Sequence, residues 1–469
     1  MIFARLLATA VALAAASAPA SAAPPPATSP APLAITVATT RLANGLELVV
    51  HEDRRAPRVA VSLWYHVGSK DEPAGRNGFA HLFEHLMLEA GSRNVAPGDF
   101  FKTLEGVGAT NIQCTTSVDR TNYREVVPTG ALEVALWLES DRMAFLLDRV
   151  DARVLDAQKA VVTSERKLNY DDSPLRLVEQ MIRAEVFPVG HPNHRPPIGD
   201  AGDLARATLD DVRAFFRAWY GPNDATLVLA GDIDMARAKP LVEKWFGSIP
   251  SRPSPTTKRA DSVRLVGEAR LHVDAQLGER YVIVSWPTPA TYGDGDAELA
   301  ILQRVLTGGR LSRRMLRDEA VARQVSVTQN QLAFGQFGEL FEITAVALEG
   351  RESTDVLAAL DDELARVRAG ETTDAEIAHA KAGVLAELVF SVEKLTDRAE
   401  RLNEYAQMIG DAGFFERDRK RIDGVTRAAV IAAARRWLPK DRRVVTLVTP
   451  NAKMPEAVRL VRATRSATP

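Results

Sequence analysis

The chain contains very little cysteine: Cys114 is the only one among its 469 residues. An intrachain disulfide is therefore excluded, and the stability of the fold must come from its core and not from crosslinks. A catalytic thiol has little support, because no candidate partner histidine lies near Cys114 in the sequence. We interpret Cys114 as a small apolar residue on a strand.

The chain also lacks an excess of one charge and a long hydrophobic run. Its 59 basic and 61 acidic residues nearly balance, and no long basic run occurs, which argues against a nucleic-acid-binding protein. After the N-terminal segment, no stretch approaches the roughly 18 uninterrupted apolar residues that a membrane-spanning helix requires. The length of the chain indicates two or more domains.

Residues 1–22 have the pattern of a secretory signal peptide. Arg5 supplies a positive n-region, 6–16 an apolar h-region, and 20–22 an A-x-A cleavage site. The following Pro/Ala/Ser-rich segment, 23–34, predicts a disordered linker. The alternative is a retained anchor, but the apolar run is short for a membrane span and no cysteine follows it to carry a lipid. We therefore expect a periplasmic or secreted protein.

The most informative feature present is the pentapeptide H-L-F-E-H at 81–85, an inverted zinc-protease motif of the form H-x-x-E-H. Residues four apart on a helix share one face, so His81 and His85 could bind one metal ion. Glu84 borders that face and could take a proton from a water molecule beside the metal. This arrangement predicts metal-dependent hydrolysis.

The flanking sequence predicts that the motif lies on a buried helix. Asn77 is a candidate N-cap, Gly91 a candidate C-terminal stop, and the residues between them give a broad apolar surface. Burial of two imidazoles and a carboxylate without partners would be costly. The alternative, three chance polar residues on a core helix, is therefore the weaker interpretation.

A catalytic zinc usually has three protein ligands and one water molecule, so a third ligand must lie elsewhere. In a later amphipathic run, Gln158 and Glu165 are one heptad apart and fall on the apolar stripe, where a carboxylate needs a counter-charge. Glu139 is a rival by the same argument, and periodicity leaves both glutamates open. Among the remaining histidines, only the loop pair His191 and His194 approaches the spacing of metal ligands.

The chain repeats itself on either side of a Pro/Ser/Thr-rich segment, 250–262, which we interpret as an interdomain linker. Near the ends of the halves, Thr208, Val212 and Trp219 recur as Thr426, Val430 and Trp437, at a constant offset of 218. Each half opens with strand-like runs, continues with amphipathic helices and has a strand near its end. That order predicts an α+β fold of two homologous domains, each a mostly antiparallel sheet with helices packed on one face. Because the second half lacks the motif, we predict a catalytic zinc-binding domain over 35–249 and an inactive homologous domain over 263–469.

With the motif, the downstream glutamate and the repeated halves, the chain resembles the pitrilysin/insulinase family of zinc peptidases (inverzincins). Within that family it resembles the half-length, bacterial processing-peptidase-like branch. The resemblance runs from about Thr40 to the C-terminus, and four first-half segments carry it: 78–87, 119–123, 135–143 and 161–166. It implies that Glu165 is the third zinc ligand, that Glu139 is not a ligand, and that each chain binds one zinc ion.

Three positions depart from the family pattern. Relatives often carry a second glutamate supporting the metal site where this chain has Gln158, which can hydrogen-bond but adds no charge. The strand expected to receive the substrate backbone carries Gln113 and Cys114 in place of Asn and a small residue. Arg317 matches an arginine that grips the substrate carbonyl, but Gln324 replaces the accompanying tyrosine. The resemblance thus implies substrate-binding roles for Gln113 and Arg317, with one donor missing or supplied by another chain.

The function implied by the resemblance is zinc-dependent hydrolysis of short or unfolded peptides in an enclosed chamber, with Glu84 as the general base. The peptide would bind extended, as an added strand beside 113–116. One duplicated pair of domains cannot close such a chamber, so we expect a dimer, formed with a second copy or with a motif-less sister subunit. The alternative is a non-catalytic scaffold or binding subunit of a peptidase complex, against which the intact motif and Glu165 argue. A metal-binding export chaperone has no positive support.

Overall fold

The computed structural model describes residues 35–253, 260, 262–329, 332 and 335–466. The predicted signal peptide (1–22), the linker at 23–34 and most of the predicted interdomain linker (254–259 and 261) lie outside these residues. From Ile35 onward the chain forms one unit. Among the described residues, no helix has both the length and the apolar character needed to cross a membrane.

Within the described part of the chain, twelve strands form two six-stranded sheets. The first sheet contains β1 (Ala38–Arg41), β2 (Glu47–Glu52), β3 (Arg58–Tyr65), β4 (Thr110–Thr116), β5 (Thr121–Pro128) and β6 (Ala225–Gly231). The second contains β7 (Ala269–Ala275), β8 (Tyr281–Thr288), β9 (Ala322–Thr328), β10 (Glu339–Ala347), β11 (Val444–Pro450) and β12 (Val458–Arg465). Each sheet has one parallel pair, β2 with β6 and β7 with β11, and its other pairs are antiparallel. The predicted α+β class with two mostly antiparallel sheets is confirmed.

The two sheets have matching strand orders, β1-β2-β6-β3-β5-β4 and β12-β7-β11-β8-β10-β9. Five strands of each sheet correspond in chain order, as duplication predicts. The edge strand beside β2 or β7 differs in origin, because β1 precedes its sheet in the chain whereas β12 follows its own. The opposite edges are β4 and β9, which therefore occupy equivalent positions.

The helices follow the strands in the predicted order. The first half contains α1 (Phe79–Glu89), α2 (Asp99–Gly106), α3 (Leu132–Phe145), α4 (Ala152–Arg166), α5 (Pro174–Val186), α6 (Ala201–Ala205), α7 (Leu209–Trp219) and α8 (Met235–Phe246). The second contains α9 (Asp296–Val305), α10 (Leu311–Arg313), α11 (Ser353–Ala369), α12 (Asp374–Phe390), α13 (Leu395–Ile409), α14 (Phe415–Asp423) and α15 (Arg427–Trp437). Each half has its own buried core, with Leu63, Phe83 and Leu136 in the first and Val284 and Leu299 in the second.

In each sheet, the face that points away from the core of its own half is covered by a helix from the opposite half. Helix α13 packs on β3 and β6, where Leu402 and Val228 belong to one buried cluster. Helix α5 packs on the second sheet, where Ile182 and Ile283 share a cluster. The prediction of helices on one face therefore holds for most helices but misses this exchange. An amphipathic pattern shows that a helix is buried, and it does not show which sheet the helix covers.

Candidate metal centre

Helix α1 carries the H-x-x-E-H motif, and its ends are set by glycines. It begins after Gly78, whose φ of 100° is left-handed, and Gly91 follows its end with a φ of 73°. The predicted stop at Gly91 is confirmed. The predicted N-cap at Asn77 is wrong, because its side chain donates to the Asp203 carboxylate. The Glu72 carboxylate instead accepts a hydrogen bond from an N–H of the first turn at 3.0 Å.

Three candidate ligands converge between α1 and α4. The Oε2 atom of Glu165 lies 3.6 Å from Nε2 of His81 and 3.2 Å from Nε2 of His85. One ligand atom from each residue lies within 4.8 Å of the others, and this is the one group of three or more His, Cys, Asp or Glu side chains within metal-binding reach among the described residues. The structure thus brings the motif histidines together with the glutamate about 80 residues downstream that the resemblance singled out.

The geometry of this group fits a zinc ion. Zinc is bound tetrahedrally at about 2.0–2.2 Å by His nitrogen and carboxylate oxygen, which puts neighbouring ligand atoms roughly 3.4 Å apart. Oε2 of Glu165 is buried and accepts no hydrogen bond from the described residues, although both imidazoles lie beside it. Burial and the neighbouring His85 lower the pKa of His81 to about 4, so His81 is in the neutral form that binds metals. The three side chains therefore form a donor set that could hold a zinc ion.

The helix that carries Glu165 is less buried than its apolar pattern predicts. Leu155 and Val162 of α4 are buried, whereas Val161 is 47% and Leu168 71% exposed. The Glu165 side chain is 38% exposed to solvent. The predicted apolar stripe is thus not buried at Val161 and Leu168, and the group of candidate ligands opens towards solvent on this side.

The alternative ligands lie elsewhere. Glu139 is buried in an ion pair with Arg142, three residues later on α3, so its counter-charge comes from its own helix. His191 accepts a hydrogen bond at Nδ1 from the backbone N–H of Asn193 (3.1 Å), and Nδ1 of His194 bonds to the carbonyl of Phe187 (2.7 Å). None of these three side chains belongs to the metal-ligand group identified among the described residues.

Glu84 lies beside the histidines and faces strand β4. Its Oε2 accepts a hydrogen bond from the Thr116 hydroxyl at 2.6 Å, and the Cys114 thiol also donates to the carboxylate. Burial raises the pKa of Glu84, opposed by these two hydrogen bonds. Burial and Glu84 together raise the pKa of the Cys114 thiol well above its usual range. A thiolate is thereby disfavoured, which agrees with the interpretation of Cys114 as a non-catalytic strand residue.

Strand β4 presents two different faces. Cys114 and Thr116 point towards α1, so Gln113 points away from the metal group, where it accepts a hydrogen bond from Arg124. Within the described residues β4 pairs only with β5, which leaves its outer backbone groups available to an added strand. The expected role of Gln113 can therefore be served by its backbone but not by side-chain contact with the metal group.

The other three positions singled out in the sequence, Gln158, Arg317 and Gln324, lie outside the group of candidate ligands. Gln158 lies on α4, and its buried Oε1 has no hydrogen-bond partner among the described atoms. Arg317 is exposed on the second half, where it lines a depression of about 280 Å³ with Gly308, Gly309 and Arg313. Gln324 lies on the edge strand β9.

Sequence reasoning missed two residues of the site, Glu72 and Thr116. Glu72 lies in the loop before the helix. No sequence rule shows that this loop folds back so that the Glu72 carboxylate accepts a hydrogen bond from the N–H of Ala80. Thr116 could have been found, because it lies two residues after Cys114 on a predicted strand and must share its face. Its partner Glu84 is distant in sequence, so their contact required the structure.

Two family models match the chain. The model described as Insulinase (Peptidase family M16) matches residues 48–192, which include the motif and Glu165. The model described as Peptidase M16 inactive domain matches residues 206–384, most of which lie in the second half. The two matches follow each other along the chain in the order that the repeated halves predict.

Individual relatives agree with these matches. The zinc protease PqqE of Helicobacter pylori is 26% identical over 398 residues, covering 81% of this chain and 86% of that protein. A crystal structure of a protease from Helicobacter pylori has the same fold, with a TM-score of 0.81 at 22% identity, covering 89% of this chain and 100% of that one. The periplasmic protease PqqL of Escherichia coli gives a TM-score of 0.74 at 18% identity, covering 89% of this chain and 48% of that one. The chain therefore belongs to the insulinase family of zinc proteases, peptidase family M16, in its half-length form.

Proposed function

We propose that this chain is a zinc-dependent endopeptidase that hydrolyses short or unfolded peptides in an enclosed chamber. The observation that carries the proposal is the convergence of His81, His85 and Glu165, with Glu84 held beside them. We assign the first three as the ligands of one zinc ion and Glu84 as the general base. The names of the zinc-protease relatives support the assignment, since the same residues lie in the segment that the insulinase model matches.

The chain's own residues would divide the reaction between them. A bound zinc ion would supply a Lewis acid that polarises the scissile carbonyl and lowers the pKa of water. Glu84 would take a proton from the attacking water as the C–O bond forms, and would then deliver that proton to the amine nitrogen as the C–N bond breaks.

The peptide would bind as an additional strand along β4. The backbone of Gln113 to Thr116 would pair with it, which places the scissile bond on the side of the strand that Cys114 and Thr116 share with Glu84. Gln158 would support the metal group from α4. Arg317 lies on the other half, so its proposed contact with substrate requires a second chain or a closed chamber.

The organisation of the chain follows from this assignment. We propose a catalytic domain over 35–249 and an inactive homologous domain over 263–469, joined by the linker at 250–262. A signal peptide at 1–22 would direct the protein to the periplasm or outside the cell, and the periplasmic relative PqqL supports that location.

We also propose that the chain works as a dimer. The PqqL chain is about twice as long, and this chain covers 48% of it, so a second subunit would complete an equivalent enclosure. A motif-less sister subunit carrying a tyrosine at the position of Gln324 would supply the missing donor. Solution mass and peptidase activity of the protein expressed alone decide the matter. Full activity as a monomer would exclude the dimer, and full activity as a homodimer would exclude only the sister subunit.

The test of the proposed function is peptide hydrolysis by the purified protein. We expect a chelator to abolish cleavage of an unfolded peptide and added zinc to restore it. Hydrolysis that survives complete removal of metal would contradict the metal-dependent mechanism. A zinc-loaded protein that binds peptides without cleaving them would favour a scaffold or binding subunit.

A further inference from the structure

The edge strand that would hold the peptide also holds Glu84. Thr116 Oγ1 donates to Glu84 Oε2 at 2.6 Å, and the Cys114 thiol donates to the same carboxylate. Both donors are on β4 and both point towards α1. The Glu84 carboxylate is therefore held by a different element than the helix that carries it.

The part of β4 that carries these donors is firmly anchored. The Arg120 guanidinium donates to the Thr115 hydroxyl at 2.7 Å and to the Thr115 carbonyl at 3.3 Å. Arg120 itself is buried and lies over the Trp64 ring, 4.4 Å from its centre. In the antiparallel ladder, Thr116 faces Thr121 across the short turn to β5. The Thr116 hydroxyl is therefore presented from a rigid strand end, although β4 is an edge strand.

A hydroxyl in this position restricts what Glu84 can do. A buried carboxylate needs hydrogen-bond donors, and with one oxygen occupied the carboxylate loses rotational freedom. The other oxygen then has a defined direction for accepting a proton. A general base gains from this order, because proton transfer requires a donor–acceptor separation of about 2.6–3.2 Å in the correct direction.

We infer that Thr116, assisted by Cys114, is a positioning residue for Glu84. Strand β4 then holds the Glu84 carboxylate and the backbone of the peptide at fixed positions relative to each other. This inference rests on the proposed peptidase function. Because the same strand contacts both partners, the hydrogen bond from Thr116 fixes the Glu84 carboxylate relative to the backbone that would pair with the peptide. Thr116 touches the base and not the reacting atoms, so its effect is exerted through Glu84.

The first test compares two substitutions at Thr116. Thr116→Val keeps the shape but removes the donor, and Thr116→Ser keeps the donor. We expect kcat of Thr116→Val to fall about tenfold or more while KM and zinc content stay within about twofold, because a hydrogen bond to a charged group is lost. Thr116→Ser should retain kcat within about twofold, and Cys114→Ala should lose less than Thr116→Val, because a thiol is a weak donor.

Thr110→Val is the matched control. Thr110 lies on the same strand but outside the proposed peptide-binding part, and its hydroxyl accepts a hydrogen bond from Arg58 at 3.3 Å. We expect its kcat and KM to match the parent protein. A Thr116→Val protein with parental kcat would overturn the inference, as would a Thr116→Ser protein that loses as much as Thr116→Val.

A second measurement is independent of hydrolysis. The infrared carboxylate band of Glu84 can be identified as the difference between the parent protein and Glu84→Gln. We expect this band to shift in Thr116→Val and to remain in Thr116→Ser. An unchanged band in Thr116→Val would show that Thr116 does not hold Glu84, even if the parent protein cleaved no peptide. Absence of cleavage with the expected shift would reject the proposed function while the contact itself stood.

Discussion

The two halves of the molecule contain corresponding pairs of helices, α1 with α4 and α9 with α12, but the glutamate at the helix contact has different neighbours in each pair. Helices α1 and α9 both begin after a left-handed glycine, Gly78 and Gly295. Helices α4 and α12 both contain a Lys-Ala pair, at 159–160 and 381–382. By that alignment Glu387 corresponds to Glu165. In the second half Glu387 forms an ion pair with Arg304 of α9, whereas Glu165 faces two imidazoles. The second half thus supplies a positive side chain, Arg304, to its glutamate. The first half instead offers its glutamate and two imidazoles as possible ligands of a metal ion from solution.

Arg304 can pack against helix α12 because Gly383 has no side chain there. A Cβ atom on Gly383 would lie 1.9 Å from Nε of Arg304, and the first-half residue at the corresponding position is Val161. The second half also has Glu298 and Leu302 where the first has His81 and His85. The two halves therefore differ over the whole contact between these helices and not only at the candidate ligands. The comparison shows that the same helix contact holds an exposed ion pair in one half and a group of candidate metal ligands in the other.

The largest expected effect comes from removing a first-half ligand. His81→Ala and Glu165→Gln should each lose most of their zinc and their hydrolytic activity, as measured by metal analysis after dialysis and by peptide cleavage. Glu387→Gln is the matched change in the second half and should leave zinc content unchanged. Full zinc occupancy in Glu165→Gln would move the third ligand to Glu139 or to a histidine.

Next in size is the loss of the base. Glu84→Gln keeps the shape of the side chain but not its basicity, so turnover should fall by roughly 10²–10⁴ while zinc stays bound. Steady-state kinetics on the zinc-loaded variant measures this effect. Near-normal hydrolysis by that variant would remove Glu84 from the mechanism.

The exchanged helices test whether the halves are independent. Leu402 on α13 and Ile182 on α5 are each 1% exposed, so truncation of either to alanine should cost about 2–5 kcal/mol of unfolding free energy. Because each helix covers the sheet of the other half, urea unfolding followed by circular dichroism should remain a single transition. Leu460→Ala on the exposed β12 is the control and should change stability by less than about 0.5 kcal/mol. Two separate transitions would show that the halves unfold independently.

Two buried groups, one in each half, should make the stability of the whole chain depend on pH in opposite directions. Burial lowers the pKa of His66, beside β3, to about 3, so below pH 6.5 the unfolded state binds a proton that the folded state does not, and stability falls as pH falls. Burial raises the pKa of Glu342, on β10, to about 7, so above pH 4.5 the folded state keeps a proton that the unfolded state loses, and stability falls as pH rises. His66→Gln and Glu342→Gln should each remove one of these slopes from urea-derived stabilities between pH 4 and 8. A parental pH profile in either variant would contradict the corresponding shift.

The smallest effect is expected at the second-half ion pair. Arg304 and Glu387 remain 39% and 65% exposed, and pairs of this kind contribute about 0–1 kcal/mol. Arg304→Met should therefore change the unfolding free energy by no more than that, as measured by urea denaturation. A loss of several kcal/mol would show that the pair is a structural requirement of the second half.

The sequence predicts the local part of the site and leaves open the part that depends on packing. His81, Glu84 and His85 are readable because i and i+4 positions meet on any helix. Periodicity could not separate Glu165 from Glu139, since both lie on amphipathic helices, and the family resemblance made the choice. Arg142, three residues after Glu139, was an available signal that Glu139 already has a counter-charge.

Other features could not be predicted because they depend on contacts between distant segments. The fold class follows from the order of strands and helices, and the structure confirms it. The placement of α5 and α13 does not follow, because both apolar faces would suit either sheet. The direction of Gln113 depends on the register of β4 against β5, which a single strand does not encode.

The helix exchange also determines when the chain can fold during its synthesis. The first sheet has all its strands once Gly231 has been made, but one of its faces stays uncovered until α13 is added more than 160 residues later. Apolar residues such as Val49 and Val228 therefore have no native cover for most of the time that the chain is emerging. We expect this sheet to remain incompletely folded until α13 has been synthesised, which leaves its apolar face open to aggregation in the meantime.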